Sequence, residues 1–528
     1  MSQSKQQKAT STPSSQPSFT LSEKAKQRIL WILFAAWAVT VIVGITYHEQ
    51  WRDEGSDWIT VRHVSIGTLF GTMIPQIGHP PMWYFLMYPL GNLGLPLVTV
   101  NIVSALVMAL AMYLMLFKLK FPFYLKVALV FSMFFVYEYP VVGRNYCLVV
   151  LFLMLVLWYY PKRFERPLVY ALIVVGLYNT HSMIFPMAFG IMLLYFWELI
   201  EFKKLNGKTA IASLMMIVGG GYLIPYMALP ALKSPAARPN IPDHFLEMKK
   251  AIGNGLLVGG FDDPATMASL ALLACIVLAL MLLPRLKPFA ILMCGAGGLL
   301  YILSNKYIGQ HRHHGLLMVE ILFTYGLAGY YAQDRFTLGN LEKYNPLRIG
   351  SIVLALVLLW QSYTGFSVVK NDIDTVYSDS KGAAEFLMDN HLEHKILVGH
   401  QSWAASAVLQ HLPADCKMYW ADTRRWGYFI KFDSVYLVNQ YKYPVGDYAA
   451  AVAEQQFRDS ISQVVLVLNS PIQTPQIAGL WSEKYRGGIW AGEDQKPAKS
   501  QESFVIYVRN PQYPTAVNMP PVDSLFRQ

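Results

Sequence analysis

Two carboxylates stand side by side in the stretch His48-Glu49-Gln50-Trp51-Arg52-Asp53-Glu54-Gly55-Ser56-Asp57-Trp58, directly after an apolar run. An acidic pair in such a place is a solvated loop or a source of general-base chemistry. Here Asp53 and Glu54 lie between two tryptophans and beside Arg52, with Asp57 close behind. Tryptophan is favoured at the membrane interface, so the setting holds the carboxylates near the membrane surface, where a lipid-borne substrate would arrive.

A second reactive stretch is Lys306-Tyr307-Ile308-Gly309-Gln310-His311-Arg312-His313-His314-Gly315. Arg312 offers a planar fork that binds phosphate in a bidentate manner; the bland alternative is a cationic helix cap. His311, His313 and His314 raise the option of a divalent metal, although side chains so close in sequence rarely converge on one ion without help from elsewhere. Arg144 and Asn145 follow Glu138 after another apolar run; a Glu138–Arg144 ion pair competes with a substrate role. Asn179, Thr180 and His181 interrupt apolar sequence, where polar groups are costly unless satisfied or functional; they form a helix turn or a cavity wall. His79 caps a helix through Pro80 and Pro81 or contacts a phosphate. Arg312, His313, Arg144 and His79 are therefore the candidates for binding phosphate. Arg52, Asp57, Asn145, Asn179, His181, His311 and His314 are candidates for lining a substrate cavity.

The elements that must position these residues are membrane spans. Of 528 residues, 54% are apolar or aromatic and 14% are charged, against about 25% charged in an average soluble chain. The deficit is uneven and divides the chain into a polar, disordered cytoplasmic tail (1–28), a membrane module (29–367) and a domain of ordinary composition (368–528). The net charge of +10 does not indicate nucleic acid, because the cations sit in short loops between apolar runs, as membrane orientation requires. The four cysteines show no paired spacing, so neither a disulfide nor a cysteine-held metal is expected.

A span needs about 20 apolar residues. Eleven candidates are 29–47, 97–117, 121–139, 145–160, 167–180, 182–200, 209–229, 265–283, 288–304, 314–333 and 349–367. The stretch 81–92 is aromatic and too short to span, and reads as an interfacial helix. With the N-terminus in the cytoplasm, the cytoplasmic loops carry Lys118, Lys120 and Lys126; Lys162, Arg163 and Arg166; Lys203, Lys204 and Lys208; Arg285 and Lys287; and Arg335, Lys343 and Arg348. All are basic, which predicts an extracytoplasmic C-terminal domain. That domain alternates helix (379–391, 403–411, 447–457) and strand (395–399, 463–468, 503–508) and predicts an α/β fold. The proline-rich loop 230–264, with Asp262 and Asp263, reads as a mobile lid or an acceptor-side loop.

An acidic pair just after the first span, followed by His79-Pro80-Pro81 opening an interfacial helix, resembles the GT-C superfamily, which includes protein O-mannosyltransferases and the aminoarabinose transferases of lipid A. The resemblance covers residues 29–366. It implies a polytopic all-α membrane module and a polyprenyl-phosphate-linked sugar as donor. It matches Asp53 to the family's catalytic acidic residue and Glu54 to its neighbour. Gly55 stands where many relatives carry Ala, a difference expected to be mild. The implied reaction is inverting transfer to an extracytoplasmic protein, glycan or lipid in the bacterial inner membrane, with Asp53 as base. The implied partners are the donor lipid, the acceptor and the bilayer. No cofactor is required beyond the optional metal. The segment Tyr419–Tyr428 stacks on sugar rings, docks on the membrane module, or is domain core. The competing reading is a transporter or flippase of lipid-linked glycans. It would place ionisable groups at mid-membrane in several spans, whereas here they gather at one face; a non-catalytic scaffold is a third reading.

Overall fold

The computed structural model describes residues 21–226, 241, 243–259, 263–332, 345–439, 446–488 and 502–517. The chain is mostly helical, with a small sheet near its C-terminus. Helix α1 (Glu23–Tyr47) opens with Ser22 accepting from Ala25 N–H and is followed by α2 (Arg52–His63). Among the described residues seven helices are long and apolar enough to cross a membrane: Glu23–Tyr47, Thr99–Lys118, Ser182–Glu201, Gly207–Tyr226, Pro264–Leu282, Leu286–Asn305 and Pro346–Asp374. Shorter apolar helices include Tyr146–Lys162 and Pro167–Tyr178. The expected span 314–333 meets helix His311–Ala328. The expected span 121–139 is broken into Phe123–Leu129 and a wider turn over Phe134–Glu138. The stretch expected to lie at the interface is helical over Met82–Asn92, with Trp83 and Tyr84 buried and Phe85 facing out.

Four of these helices place the chemistry. Tyr146–Tyr159 begins just after Arg144 and ends at Tyr160. Helix Phe185–Glu201 begins after His181 and ends beyond Glu198. Leu286–Asn305 carries Lys287 in its first turn and Ile302 in its last, and His311–Ala328 carries Arg312 in its first turn and ends near Tyr331. At one end Arg163 pairs with Glu198 at 2.8 Å, Lys287 reaches the same carboxylate at 3.7 Å, and Tyr331 donates to it at 2.6 Å. The loops that carry Arg163 and Lys287 thus meet at one end of the bundle, and Arg144, His181 and Arg312 lie at the other.

The expected disordered tail 1–28 falls outside the described residues only up to residue 20, since α1 starts at Glu23. Arg335, Lys343, Asp262 and the prolines of the expected lid (Pro230, Pro235, Pro239, Pro242) also lie outside them. The described part of that loop is ordered structure: His244–Leu256 is helical, and Asp263 caps helix Pro264–Leu282 by accepting from Ala265 and Thr266 N–H.

The last span helix runs on past residue 367 to Asp374 and feeds the C-terminal sheet. Its strands are β1 (Ile396–Gly399), β2 (Met418–Trp420), β3 (Arg425–Gly427), β4 (Val464–Leu468), β5 (Trp481–Gly487) and β6 (Phe504–Arg509), in the order β3-β2-β1-β4-β6-β5. Strands β2, β1 and β4 are parallel and the rest antiparallel. Alternate residues face opposite sides of a strand. Leu397, Val465, Val467 and Ile506 join the same core as the bundle, while Val398, Leu466, Leu468 and Tyr507 face a separate one under helix Gly446–Gln456. One face of the sheet is therefore docked through packed side chains onto the membrane module. The sequence reading missed β2 and β3, which have three residues each, and β5, whose outward residues are polar.

Candidate active site

The acidic pair is helical. Asp53 and Glu54 occupy the first turn of α2, with Arg62 and His63 in its last, the arrangement a helix dipole favours. The N-cap is Trp51, which has no side chain able to cap. Glu54 bonds back to the Trp51 N–H at 3.2 Å, and the carboxylate of Glu502, from the C-terminal domain, lies 3.3 Å from the Arg52 N–H.

The two carboxylates of the pair point to different worlds. Glu54 is fully buried; it accepts from Asn101 Nδ2 at 2.6 Å and Gly143 N–H at 2.6 Å, and pairs with His48 Nε2 at 3.0 Å. Burial alone would raise it, but His48 holds its carboxyl below the usual range. His48 is itself clamped on its other side by Asp372 at 2.9 Å, which also accepts from Tyr137 at 2.6 Å. With its oxygens saturated, Glu54 does not line the cavity. Asp53 does, and its side chain is 32% exposed. Its Oδ2 accepts from Arg312 at 2.5 Å, while Oδ1 is 3.7 Å from Arg52 Nε, beyond hydrogen-bond reach. Burial pushes Asp53 up, and Arg312, Arg144 and Arg52 outweigh it, so the carboxyl stays below its ordinary value.

The cavity holds about 530 Å³ and is lined by Asp53, Asp57, His79, Arg144, Tyr146, His181, Arg312 and His313 among others. Residues from five separated parts of the sequence meet there. Arg144 donates to Asp57 at 2.7 Å and to the Asp53 carbonyl, and Asp57 also accepts from Tyr84 at 2.6 Å. Arg144 therefore pairs with Asp57, and the Glu138–Arg144 bridge considered from the sequence is not formed. The Arg144 Nε is buried with no hydrogen-bond partner.

Three imidazoles share this wall, and their neighbours set their tautomers. His181 Nδ1 accepts from Met183 N–H at 3.1 Å, so Nε2 carries the proton, and it has no partner. His313 Nδ1 accepts from Gln310 N–H at 3.0 Å, which likewise leaves Nε2 as a donor. His79 lies 5.3 Å from His181, ring to ring, and 3.5 Å from Arg144. Burial and then Arg144 pull His79 down to about 3, and burial drives His181 far below its ordinary value. These rings are neutral hydrogen-bond donors, not cations.

Several candidates are elsewhere. Asn179 is a helix-turn residue: it donates to the Val175 carbonyl at 2.8 Å and accepts from Tyr222. Asn145 bonds the Thr180 carbonyl at 2.8 Å behind the cavity wall. His314 faces Asn254 at 3.2 Å, and His311 is on the surface. Successive side chains on a helix diverge, so His311, His313 and His314 do not converge; among the described residues no group of three metal-ligating side chains is placed to hold an ion. Arg52 stacks 4.2 Å from the Trp403 ring of the C-terminal domain. His63 stacks on Tyr428 at 4.6 Å and bonds the Ala414 carbonyl at 2.9 Å, so the aromatic segment 419–428 serves in part to dock the C-terminal domain. The sequence reading passed over Asn101, a polar residue inside an apolar span and hence a readable signal, and Gln410 and Glu502, which carry none.

No protein-family model and no curated protein matches the sequence. Among solved structures, the crystal structure of ArnT from Cupriavidus metallidurans bound to undecaprenyl phosphate superposes with a TM-score of 0.50 at 13% identity, covering 90% of this chain and 97% of that one. The mycobacterial arabinofuranosyltransferase AftD aligns at a TM-score of 0.44 and 11% identity over 40% of its own length. With the superposition spanning nearly the whole of both chains, this chain shares the fold of that ArnT structure.

Proposed function

We propose that the chain is an inverting glycosyltransferase that moves a sugar from a polyprenyl-phosphate donor to an extracytoplasmic acceptor, with Asp53 as the base. The observation that carries this reading is Asp53 itself, a half-buried carboxylate on the wall of a basic cavity, with one oxygen pinned by Arg312 and the other beyond hydrogen-bond reach of Arg52. The open Oδ1 is suited to take the acceptor's proton as the nucleophile attacks the anomeric carbon. Its lowered affinity for protons keeps it ionised at neutral pH. A weak base suffices because the leaving group is a lipid phosphate, which needs its charge met rather than a proton supplied. Arg144, with its unpartnered Nε, Arg312 and the N–H groups of His181 and His313 form such a donor set. A single base opposite the leaving group gives inversion.

The lipid tail has a path. Beside the polar cavity lies an apolar groove of about 580 Å³, lined by Pro80, Tyr178, Phe185, Pro186, Leu223 and Ile224, with Lys306 at its rim. It shares Ser182 and Ile302 with the polar cavity, so a phosphate among the arginines would leave its polyprenyl chain in the groove. The undecaprenyl phosphate of ArnT supports this class of donor. The reading keeps eleven spans, with the basic end cytoplasmic and the cavity and C-terminal domain outside, as in a bacterial inner membrane; the meeting of Arg163 and Lys287 at the end of the bundle away from the cavity supports that orientation. Glu54 then acts by fixing the turn that carries Asp53. A divalent metal is not assigned a step; chelation of the purified enzyme tests that option.

The test is mass spectrometry of envelope glycans, glycoproteins and lipids from cells with wild-type protein or Asp53→Asn at equal membrane levels. Loss of one defined sugar modification in the variant supports the transferase and names the sugar and acceptor. An unchanged profile, where deletion of the chain does alter it, removes Asp53 as the base.

A further inference from the structure

The turn that carries Asp53 is held from two sides. The membrane module grips it through Arg312, Arg144, Asn101 and Gly143. The C-terminal domain grips it independently, from three separate elements. Glu502, just before β6, places both carboxylate oxygens 3.3 Å from the Arg52 N–H and one of them 3.6 Å from the Arg52 guanidinium. Ser380 and Gln410 donate to the Gln50 carbonyl at 3.2 and 2.9 Å. Trp403 stacks under Arg52 at 4.2 Å.

These contacts fall where α2 most needs them. The first amides of a helix have no partner within it, and Trp51 cannot cap them. Glu502 meets the first such amide with a negative charge, at the end of the helix where the dipole favours one. It is 2% exposed and is tied down in turn by Ser378, which donates to it at 2.7 Å. The next residue after Arg52 is Asp53.

Resting on the assignment of Asp53 as base, we infer that Glu502 is a positioning residue supplied by the C-terminal domain, which caps the catalytic turn and fixes Arg52 so that the open oxygen of Asp53 faces the acceptor. The domain is then a working part of the active site and not only a surface for binding the acceptor. Among the described residues the charges facing Glu502 include Arg52 and Asp53 on α2, with the neutral Ser378 on its own side. Burial pushes Glu502 up to about 7. The clamp needs the ionised form, so turnover should fall as the pH drops through about 7, far above the range in which Asp53 itself takes up a proton.

The experiment is donor turnover against pH with the purified full chain in detergent or vesicles, comparing wild type, Glu502→Gln, Glu502→Asp and, as the control on the base, Asp53→Asn. A charge-assisted hydrogen bond is worth about a factor of ten in an equilibrium, so kcat should fall about tenfold in Glu502→Gln with little change in donor KM. The fall in turnover near pH 7 should vanish in that variant, and Glu502→Asp, which keeps the charge, should recover part of both. A pure folding role would lower yield and leave the pH profile of the surviving enzyme unchanged. Wild-type kcat and an unshifted profile in Glu502→Gln, with Asp53→Asn inactive, would overturn this inference alone. Full turnover by Asp53→Asn would instead overturn the assignment of the base. If Glu502→Gln cannot be purified, the wild-type profile with Glu502→Asp decides, since a flat wild-type profile through pH 7 removes the clamp.

Discussion

Gly55→Ala is the most searching substitution available in this chain, because the resemblance to GT-C relatives leads one to expect alanine at this place to be harmless. A Cβ built on Gly55 would stand 0.9 Å from Gln410 Oε1, 2.0 Å from its Cδ and 2.9 Å from its Cβ. No rotation of the amide alone relieves contact with Cβ, so the Gln410 side chain must leave and helix Ser402–Leu409, which precedes it, must shift. Overpacking of this kind costs about 1–3 kcal/mol. The Gln410–Gln50 hydrogen bond at 2.9 Å goes with it, which adds about 1 kcal/mol. The sum, about 2–4 kcal/mol, weakens the docking of the C-terminal domain on α2. A displacement of about 1 Å in the catalytic turn is enough to cost about a hundredfold in rate. The assay is turnover together with hydrogen exchange at the α2–domain contact, carried through a double-mutant cycle with Gln410→Ala. Alanine at 410 removes the amide, which makes the two shortest contacts, and leaves only the milder 2.9 Å contact with Cβ, so the double variant should be more active and better protected than Gly55→Ala alone without full recovery. Wild-type activity and protection in Gly55→Ala, or no recovery in the double variant, would refute the reasoning.

Asp53→Asn should lower turnover by about a hundredfold to ten-thousandfold with the protein still present in the membrane, as read by donor consumption at matched protein levels. Glu54→Gln should fail differently: it breaks a buried pair with His48 and should destabilise by about 3–5 kcal/mol, seen as a lower thermal midpoint and less protein in the membrane. His48 is pulled down by burial but lifted further by Glu54 and Asp372, from 6.5 to about 10. Its folded value lies above its unfolded one, so the stability it contributes is complete below about pH 6.5 and is lost as pH rises through about 10. The thermal midpoint should therefore fall between pH 7 and 10, and His48→Gln should flatten that fall. Arg144→Ala leaves Asp57 unpaired and removes a phosphate donor, so donor KM should rise about tenfold or more, measured with a short-chain donor.

The sequence by itself determined the membrane module. Spans are written in long apolar runs because the hydrocarbon interior admits little else, and each of the expected spans meets a helical segment. It also located the acidic pair, Arg144, His181 and Arg312, since charges beside apolar runs stand out without any knowledge of the fold. It could not divide labour within the pair. Asp53 and Glu54 are neighbours in sequence, but about 100° of helix rotation turns one toward the cavity and the other into a cage of Asn101, Gly143 and His48. It could not separate the three histidines of 311–314, which the same rotation sends to the surface, the cavity and helix His244–Leu256. Nor could it read Gly55, whose constraint is a glutamine 355 positions away in the chain, or Glu502, which looks like any surface carboxylate until the docked sheet sets it at the start of α2. Hydrophobic periodicity is local and survives in one dimension. The cavity, the clamp and the pairing of charges depend on contacts between distant segments, and those exist only once the helices and the sheet have packed.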